Sequence, residues 1–262
     1  MNHCPNCNFT RSWSLSDGRA KCKRCGHRYR RLQERSLWNF FRLSDETKRR
    51  LLDYFALGVP SYRLRFHALA SRPARERFFR IVRAVMAYEE LLRTPFEGLV
   101  ECDETMFGGY RPGKRGWGAE GKIIVFGILQ RNGLVRLFPV EKRRKKEIVK
   151  LIRLHTKPGS LYYTDDWKAY ASLSVRGDHV VVKKAKGKPK GKDHINGIEG
   201  FWSYAKHWLY TYRGVPRKLF HLYLGEVSYR FNHRNEDIFP LLHRLLNNLT
   251  MEQITEKLVQ TN

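Results

Sequence analysis

Residues 98–140 contain three segments with the residue pattern of a β-sheet, namely GLVECDET (98–105), KIIVFGILQ (122–130) and LVRLFPV (134–140). Val, Ile and Phe favour strands, and the RNG sequence before the last segment favours a turn, so the last two segments predict a hairpin. We therefore predict three adjacent strands that are antiparallel at least in part. The first carries two acids in succession, Asp103 and Glu104, whose side chains point to opposite faces of an extended strand.

The chain after this region alternates between helical and extended patterns. Its predicted elements are a helix at 142–156, a strand at 160–164 (SLYYT), a short helix at 167–173, a strand at 179–184 (HVVVKK), a helix around Glu199 and a long helix at about 216–232. Three strands, helix, strand, helix, strand and helix is the element order of an RNase H-like fold. The sequence thus predicts an α/β protein with an RNase H-like mixed sheet flanked by helices.

The segment DHINGIEGFWSYAKHW, residues 193–208, predicts a helix with one apolar face and one polar stripe. Its apolar residues recur at helical spacing and are Ile198, Phe201, Trp202, Ala205 and Leu209. The polar residues Asn196, Glu199, Ser203 and Lys206 fall along one neighbouring stripe. This stripe is either a solvated face with a Glu–Lys pair or part of a functional site. The other residues that would lie near Glu199 distinguish the two interpretations.

Two more acids fall where the predicted sheet would meet this helix. Asp103 lies on the first strand of the sheet and Asp165 at the end of the fourth. Carboxylates are the ligands that Mg²⁺ prefers, and two ions about 3.5–4 Å apart can activate a nucleophile and stabilise a leaving oxygen at a phosphodiester. We predict that Asp103, Asp165 and Glu199 hold Mg²⁺ and that Lys206 contacts a phosphate nearby.

The cysteines predict a second metal site near the N-terminus. Cys4 and Cys7 form CPNC, Cys22 and Cys25 form CKRC, and fourteen residues separate the two pairs. This spacing is typical of a zinc ribbon with four thiolate ligands, whereas the alternative of two disulfides is disfavoured in a reducing compartment. The fifth cysteine, Cys102, is predicted to pack as a small apolar residue.

The charge of the chain indicates a polyanionic partner. Its 51 Lys and Arg against 25 Asp and Glu give a net charge of +26, which favours sustained contact with nucleic-acid phosphates. The basic tracts KRRKK (142–146) and KKAKGKPKGK (183–192) are predicted to contact the DNA backbone, with a solvated loop as the alternative for the second. Without a stretch of ~18 apolar residues or a signal-peptide pattern, we expect a soluble cytoplasmic protein with no membrane partner.

A helical region is predicted between the cysteines and the sheet. Ser44 can cap a first helix that ends near Gly58, and helices at about 61–70 and 73–92 follow the short turn GVP. Helix, tight turn, helix and helix is the layout of a helix-turn-helix module, and a plain helical linker is the alternative.

Several blocks taken together resemble the DDE transposases of bacterial insertion sequences, specifically the insertion-sequence-1595 family with its N-terminal zinc ribbon. The blocks are ECDETMFGG, GKRGWGAEGKIIVFGIL, YTDDWKAY, HINGIEGFWSYAKHWL and RFNHR. The resemblance implies that Asp103, Asp165 and Glu199 are the catalytic triad and Lys206 the accompanying basic residue. It implies Mg²⁺ or Mn²⁺ for catalysis, structural Zn²⁺, binding to double-stranded DNA of element ends and target, and a homo-oligomer assembled on DNA at the bacterial nucleoid.

The predicted domains are a zinc ribbon (1–35), a helical DNA-binding domain (44–93), the catalytic domain (96–235) and a C-terminal helical tail (236–262). The alternative functions are a nuclease or resolvase of the same fold that never joins strands, and a catalytically silent zinc-dependent DNA-binding regulator.

Asp166 directly follows Asp165, and only one of two successive residues in a strand can face Asp103. In the family's pattern the ligand follows a threonine and precedes an aromatic residue by two positions, which selects Asp165 with Trp167 as the aromatic residue. We expect Asp166 to cap the short helix predicted at 167–173.

Overall fold

The computed structural model describes residues 3–30, 35–67, 69–108, 121–131, 133–165, 177–182, 194–212 and 214–260. Its strands are β1 (Ser12–Ser14), β2 (Arg19–Cys22), β3 (Arg28–Arg30), β4 (Leu99–Phe107), β5 (Ile123–Gln130), β6 (Leu134–Val140), β7 (Leu161–Thr164) and β8 (His179–Val181). Its helices are α1 (Leu37–Phe40), α2 (Asp45–Ala56), α3 (Arg72–Leu92), α4 (Lys145–His155), α5 (Asn196–Tyr210), α6 (Phe220–Asn232), α7 (Ile238–Asn248) and α8 (Met251–Gln260). Short 3₁₀ helices lie at Ser61–Phe66 and Arg217–Leu219.

A mixed sheet of five strands forms the α/β part, in the order β6-β5-β4-β7-β8. Strands β4, β5 and β6 pair antiparallel, which confirms the three adjacent strands predicted from residues 98–140. Strand β7 is parallel to β4, and β8 is parallel to β7. Parallel neighbours need a crossover between them, and helix α4 lies in the connection that leads to β7.

The two faces of this sheet bury different helices. On β5, Val125 and Leu129 pack against α5 and α6, whereas Phe126 and Ile128 pack against α4. This division follows from the alternation of side chains along a strand. The predicted apolar face of α5 is confirmed, because its Ile198, Phe201, Trp202 and Ala205 are all buried. Cys102 is fully buried on the α4 face, as predicted for a small apolar residue.

The edge strand β6 is protected by a side chain that imitates a neighbouring strand. The amide of Asn232 accepts a hydrogen bond from the Val135 N–H (2.8 Å) and donates one to the Val135 carbonyl (3.0 Å). Glu90 on α3 holds this amide in place by accepting a second hydrogen bond from it (2.7 Å). These contacts satisfy backbone groups that an exposed edge would leave open to other chains.

A helical layer packs beside the sheet. Helices α1, α2, α3, α7 and α8 share one apolar core, so α7 and α8 pack against the helices that precede the sheet. Ser44 caps α2 as predicted, since its hydroxyl accepts from the Thr47 N–H (3.2 Å). The helix predicted at about 61–70 is instead a 3₁₀ helix that ends at Phe66, because His67 adopts an extended conformation. None of the helices in the described ranges is long and apolar enough to cross a membrane.

A buried ion network joins this helical layer to α6. Glu226 is fully buried and accepts from Arg83 of α3 (2.6 Å) and from Arg230 one turn along α6 (3.0 Å). Arg230 also donates to the carbonyls of Phe55 and Ala56 at the C-terminal end of α2. The Phe55 carbonyl also accepts from the Gly58 N–H in the turn after α2 (2.9 Å), and the Arg230 contacts tie α2, α3 and α6 together.

Glu226→Gln should destabilise the protein by about 3–5 kcal/mol, because it leaves two buried guanidinium groups without their counter-charge. The free energy of unfolding from urea denaturation measures this loss. Glu76→Gln is the matched control, since the Arg72–Glu76 pair is exposed and should contribute less than about 1 kcal/mol. Equal losses in the two variants would show that the buried network does not hold the helices together.

Candidate active site

An open cleft of about 580 Å³ lies where β4 and β7 meet helix α5. Asp103, Asp165, Glu199 and Lys206 all line it, so the structure brings together the four residues singled out in the sequence. The remaining lining residues are Glu104, Thr105, Arg143, Trp202 and Ser203. Glu199 and Lys206 are exposed to solvent, and both sit on the polar stripe that was predicted for α5.

The pairing of β4 with β7 brings Asp103 and Asp165 together. Cys102 lies opposite Thr164 in this parallel pair, so Asp103 and Asp165 occupy the next matching positions along the two neighbouring strands. Neighbouring strands are about 4.8 Å apart, and side chains at matching positions of a parallel pair point to the same face. Tyr163, two residues before Asp165, packs on the α5 face. Asp166, the second candidate at this position, lies outside the described residues.

Trp202 fixes the orientation of Asp103. Its indole N–H donates to an Asp103 carboxylate oxygen (3.1 Å) in a buried hydrogen bond. The ring can lie this close to the sheet because Gly127, opposite Asp103 on β5, has no side chain. A Cβ at Gly127 would come within 2.7 Å of the Trp202 ring. Through Trp202, helix α5 therefore packs closely against β4, the strand that carries Asp103.

Glu104 and Arg143 are two cleft residues whose roles the sequence did not reveal. The Glu104 side chain is buried, and Arg143 donates both to it (3.1 Å) and to Asp165 (3.4 Å). Alternation places Glu104 on the α4 face, and Arg143 precedes α4, so the arginine reaches the cleft from that side. Arg143 belongs to the KRRKK tract that was predicted to contact DNA. The other basic tract, at 183–192, lies outside the described residues.

The surroundings of Asp103 oppose its ionisation. Burial, together with the nearby charges of Glu104 and Asp165, raises the pKa of Asp103 to about 6. A backbone hydrogen bond at Glu104 and the Trp202 indole partly offset this effect. Above pH 6 the folded protein thus holds a charged carboxylate where its own structure favours the neutral acid.

A divalent cation fits this cluster. One oxygen each of Asp103, Glu104 and Asp165 lies within 4.8 Å of the others. Mg²⁺ binds carboxylate oxygens at about 2.1 Å, so oxygens up to about 4.2 Å apart can share an ion after a small adjustment of the side chains. Glu199 is outside this group of three but lines the same cleft. The geometry thus adds Glu104 as a further carboxylate beside the three that the sequence indicated.

Asp103→Asn should stabilise the metal-free protein by about 1–3 kcal/mol at pH 7.5, since one pKa unit corresponds to about 1.4 kcal/mol. The folded protein keeps the Asp103 proton to a higher pH than the unfolded chain. The contribution of Asp103 to stability therefore falls as the pH rises from about 4 to about 6. The gain from Asn should be largest above pH 6 and mostly absent near pH 4.

Urea denaturation in buffer without divalent cations, at pH 7.5 and at pH 4.5, measures this difference. Asp53→Asn is the control, because Asp53 is exposed on α2 and should change the free energy of unfolding by no more than about 0.5 kcal/mol. A loss of stability in Asp103→Asn at pH 7.5 would contradict the repulsion described above.

The N-terminal cysteines converge in the small sheet β1-β2-β3. The Sγ atoms of Cys4 and Cys25 are 3.5 Å apart, as are those of Cys7 and Cys22, and the described cysteines form no disulfide. Tetrahedral Zn–S bonds of about 2.3 Å would separate the sulfurs by about 3.8 Å, so the four thiols fit a zinc ion. A hydrogen bond from the His27 backbone helps to lower the pKa of Cys25 to about 6, which favours the thiolate form.

We expect about one zinc ion per chain in protein purified without chelator, and Cys25→Ser should lose it because oxygen replaces one of four sulfur ligands. Metal analysis by mass spectrometry measures the ratio. Cys102→Ala is the matched control, since Cys102 lies in the large sheet and should not affect zinc content. A protein that folds with no zinc would rule out the site.

The fold and these sites define an α/β protein with a carboxylate-lined cleft suited to divalent cations and a four-cysteine cluster suited to zinc. The chain belongs to the insertion-sequence-1595 family of transposases, because residues 95–232 match the ISXO2-like transposase domain. It is also 36% identical over 86 residues to an uncharacterized transposase-like protein of Haemophilus influenzae. That match covers 32% of this chain and 70% of the relative. The resemblance drawn from the sequence motifs is thereby confirmed.

Proposed function

We propose that this transposase binds the ends of its own insertion sequence, cleaves the DNA there and joins the freed ends to target DNA. The observation that carries the proposal is the single cleft that collects Asp103, Asp165, Glu199 and Lys206 from three separate parts of the matched domain. The strand order of the sheet further supports an RNase H-like catalytic domain. Acting on bacterial DNA, the protein would work in the cytoplasm at the nucleoid.

The cleft residues would have different roles in phosphodiester chemistry. Asp103, Asp165 and Glu199, with Glu104 close by, would hold Mg²⁺ or Mn²⁺. When bound, such ions supply a Lewis acid that activates the attacking oxygen and stabilises the leaving oxygen. Lys206 would contact a phosphate beside the scissile bond, and Trp202 would keep Asp103 in its binding orientation.

The same cleft would serve two successive reactions. A water oxygen first attacks the phosphorus at the element end, the bond to the 3′-oxygen breaks, and a 3′-hydroxyl is released. That hydroxyl then attacks a phosphorus of the target DNA, and the target's own 3′-oxygen leaves. Each step exchanges one P–O bond for another, so neither needs an external energy source.

The net charge of +26 supports DNA as the partner. The four-cysteine cluster and the helices from α2 to α3 are proposed to recognise the element ends. Exposed Trp13, with Lys23 stacked over its ring at 3.9 Å, is available on the cysteine-rich segment for contact with bases. We propose that the protein assembles as a homo-oligomer on DNA, because two element ends must be processed together.

Asp165→Ala should abolish Mg²⁺-dependent cleavage without loss of DNA binding, whereas Asp166→Asn should retain most activity. Substituting a residue that only orients a metal ligand lowers metal affinity or activity by about 10–100-fold. Substituting a direct ligand should therefore lower the cleavage rate by more than about 100-fold. The assay uses labelled DNA carrying the sequences that flank the gene, with Mg²⁺ and a target plasmid. Electrophoresis separates cleavage products from joined products, and a mobility-shift assay measures binding.

Each outcome of this assay selects one function. Cleaved and joined products identify a transposase, cleaved products alone identify a nuclease or resolvase, and binding without cleavage identifies a regulator. If Asp166→Asn were inactive and Asp165→Ala active, the second ligand would be Asp166.

A further inference from the structure

Glu101 is a buried acid outside the cleft that touches the helix carrying Glu199. It is 1% exposed and lies on β4, two residues before Asp103 and on the same face of the sheet. One of its carboxylate oxygens accepts from the Ile198 backbone N–H (2.8 Å) in the first turn of α5. This N–H has no partner within the helix, so Glu101 caps α5 from a neighbouring strand.

Arg131 completes the arrangement from the turn after β5. It donates to the other Glu101 oxygen (2.8 Å) and to the backbone carbonyl of His194, just before α5. Its guanidinium also stacks on the Tyr163 ring of β7 at 3.7 Å. A planar guanidinium can serve these three partners at once, which a lysine ammonium cannot do in the same geometry.

Each contact of the Glu101–Arg131 pair lies next to a carboxylate of the cleft. Glu101 is two residues from Asp103, Tyr163 is two residues from Asp165, and Ile198 directly precedes Glu199. The three carboxylates come from three different elements, so only contacts between those elements set the distances between them. We infer that Glu101 and Arg131 are positioning residues that hold Glu199 at a fixed distance from Asp103 and Asp165, an inference that rests on the proposed function.

Gly197 provides a way to test this inference without changing any charge. A Cβ at Gly197 would lie 2.9 Å from a Glu101 carboxylate oxygen and 3.1 Å from Leu129. Glu101 cannot yield freely, because Arg131 and the Ile198 N–H hold both of its oxygens. An added methyl group should therefore push the first turn of α5, with Glu199, away from the sheet.

The matched control lies in the same helix. Gly200 also belongs to α5, but a Cβ there would have nothing within 4 Å. Both Gly197→Ala and Gly200→Ala gain helix propensity, about 1 kcal/mol each, so neither should lose helix content. The two variants differ only in the contact with Glu101 and Leu129.

The experiment compares the two variants with the wild-type protein in three measurements. Mn²⁺ affinity is measured by electron paramagnetic resonance, single-turnover cleavage is measured across Mg²⁺ concentrations, and DNA affinity by mobility shift. Gly197→Ala should lose about 10–100-fold in Mn²⁺ affinity and in cleavage rate at limiting Mg²⁺, the range typical of residues that orient metal ligands. DNA affinity should stay within about twofold of wild type, and Gly200→Ala should match wild type throughout.

Equal Mn²⁺ affinities for Gly197→Ala and Gly200→Ala would overturn the inference. If Gly197→Ala does not fold, Arg131→Lys carries the test, since lysine keeps the charge but cannot hold Glu101 and the His194 carbonyl together. It should then show the same loss of Mn²⁺ affinity, and a wild-type affinity would overturn the inference. A wild-type protein that binds Mn²⁺ but never cleaves DNA would instead refute the proposed function. The difference in Mn²⁺ affinity between Gly197→Ala and Gly200→Ala would still test the positioning role.

Discussion

The parallel pairing of β4 with β7 is the constraint on which the rest of the cleft depends. Its register, Cys102 opposite Thr164, brings Asp103 and Asp165 to matching positions on one face of the sheet. A shift by one residue would send Asp165 to the α4 face and separate the pair. The buried alternation on both faces, with Tyr162 toward α4 and Tyr163 toward α5, opposes such a shift.

This register concentrates negative charge, and the surrounding residues reduce its cost. The pKa of Asp103 rises because it is buried and because Glu104 and Asp165 are near, so the charged cluster opposes folding. Arg143 offsets part of that repulsion by donating to both Glu104 and Asp165. A bound cation would offset more of the repulsion because of its higher charge, and would therefore stabilise the folded protein.

Much of the architecture could be predicted from local patterns. The spacing of the cysteines, the β-favouring residues of β5 and the apolar face of α5 each depend on residues near one another in sequence, so all three were found. Glu104 and Arg143 depend on tertiary geometry. Strand alternation separates Glu104 from Asp103, and only the approach of the residues before α4 brings Arg143 between Glu104 and Asp165. The same holds for helices α7 and α8, whose packing against α1 and α3 no local pattern encodes.

Helix α5 is held at both ends, by different parts of the protein. At its N-terminal end the Ile198 N–H is bound by Glu101 of the sheet. At its C-terminal end Trp208 packs against Gly58, where a Cβ would come within 2.5 Å of the ring, and the Arg230 guanidinium lies over the Trp208 ring at 4.5 Å.

Gly58 lies in the turn after α2, in the part of the helical layer that we propose contacts DNA. Its positive φ of 77° favours glycine there, and the absence of a side chain lets Trp208 approach. Glu199 lies near the first anchor and Lys206 near the second. The width of the cleft is thus set jointly by the sheet and by the helical layer, so a displacement of the α2 turn would move Lys206 relative to the carboxylates.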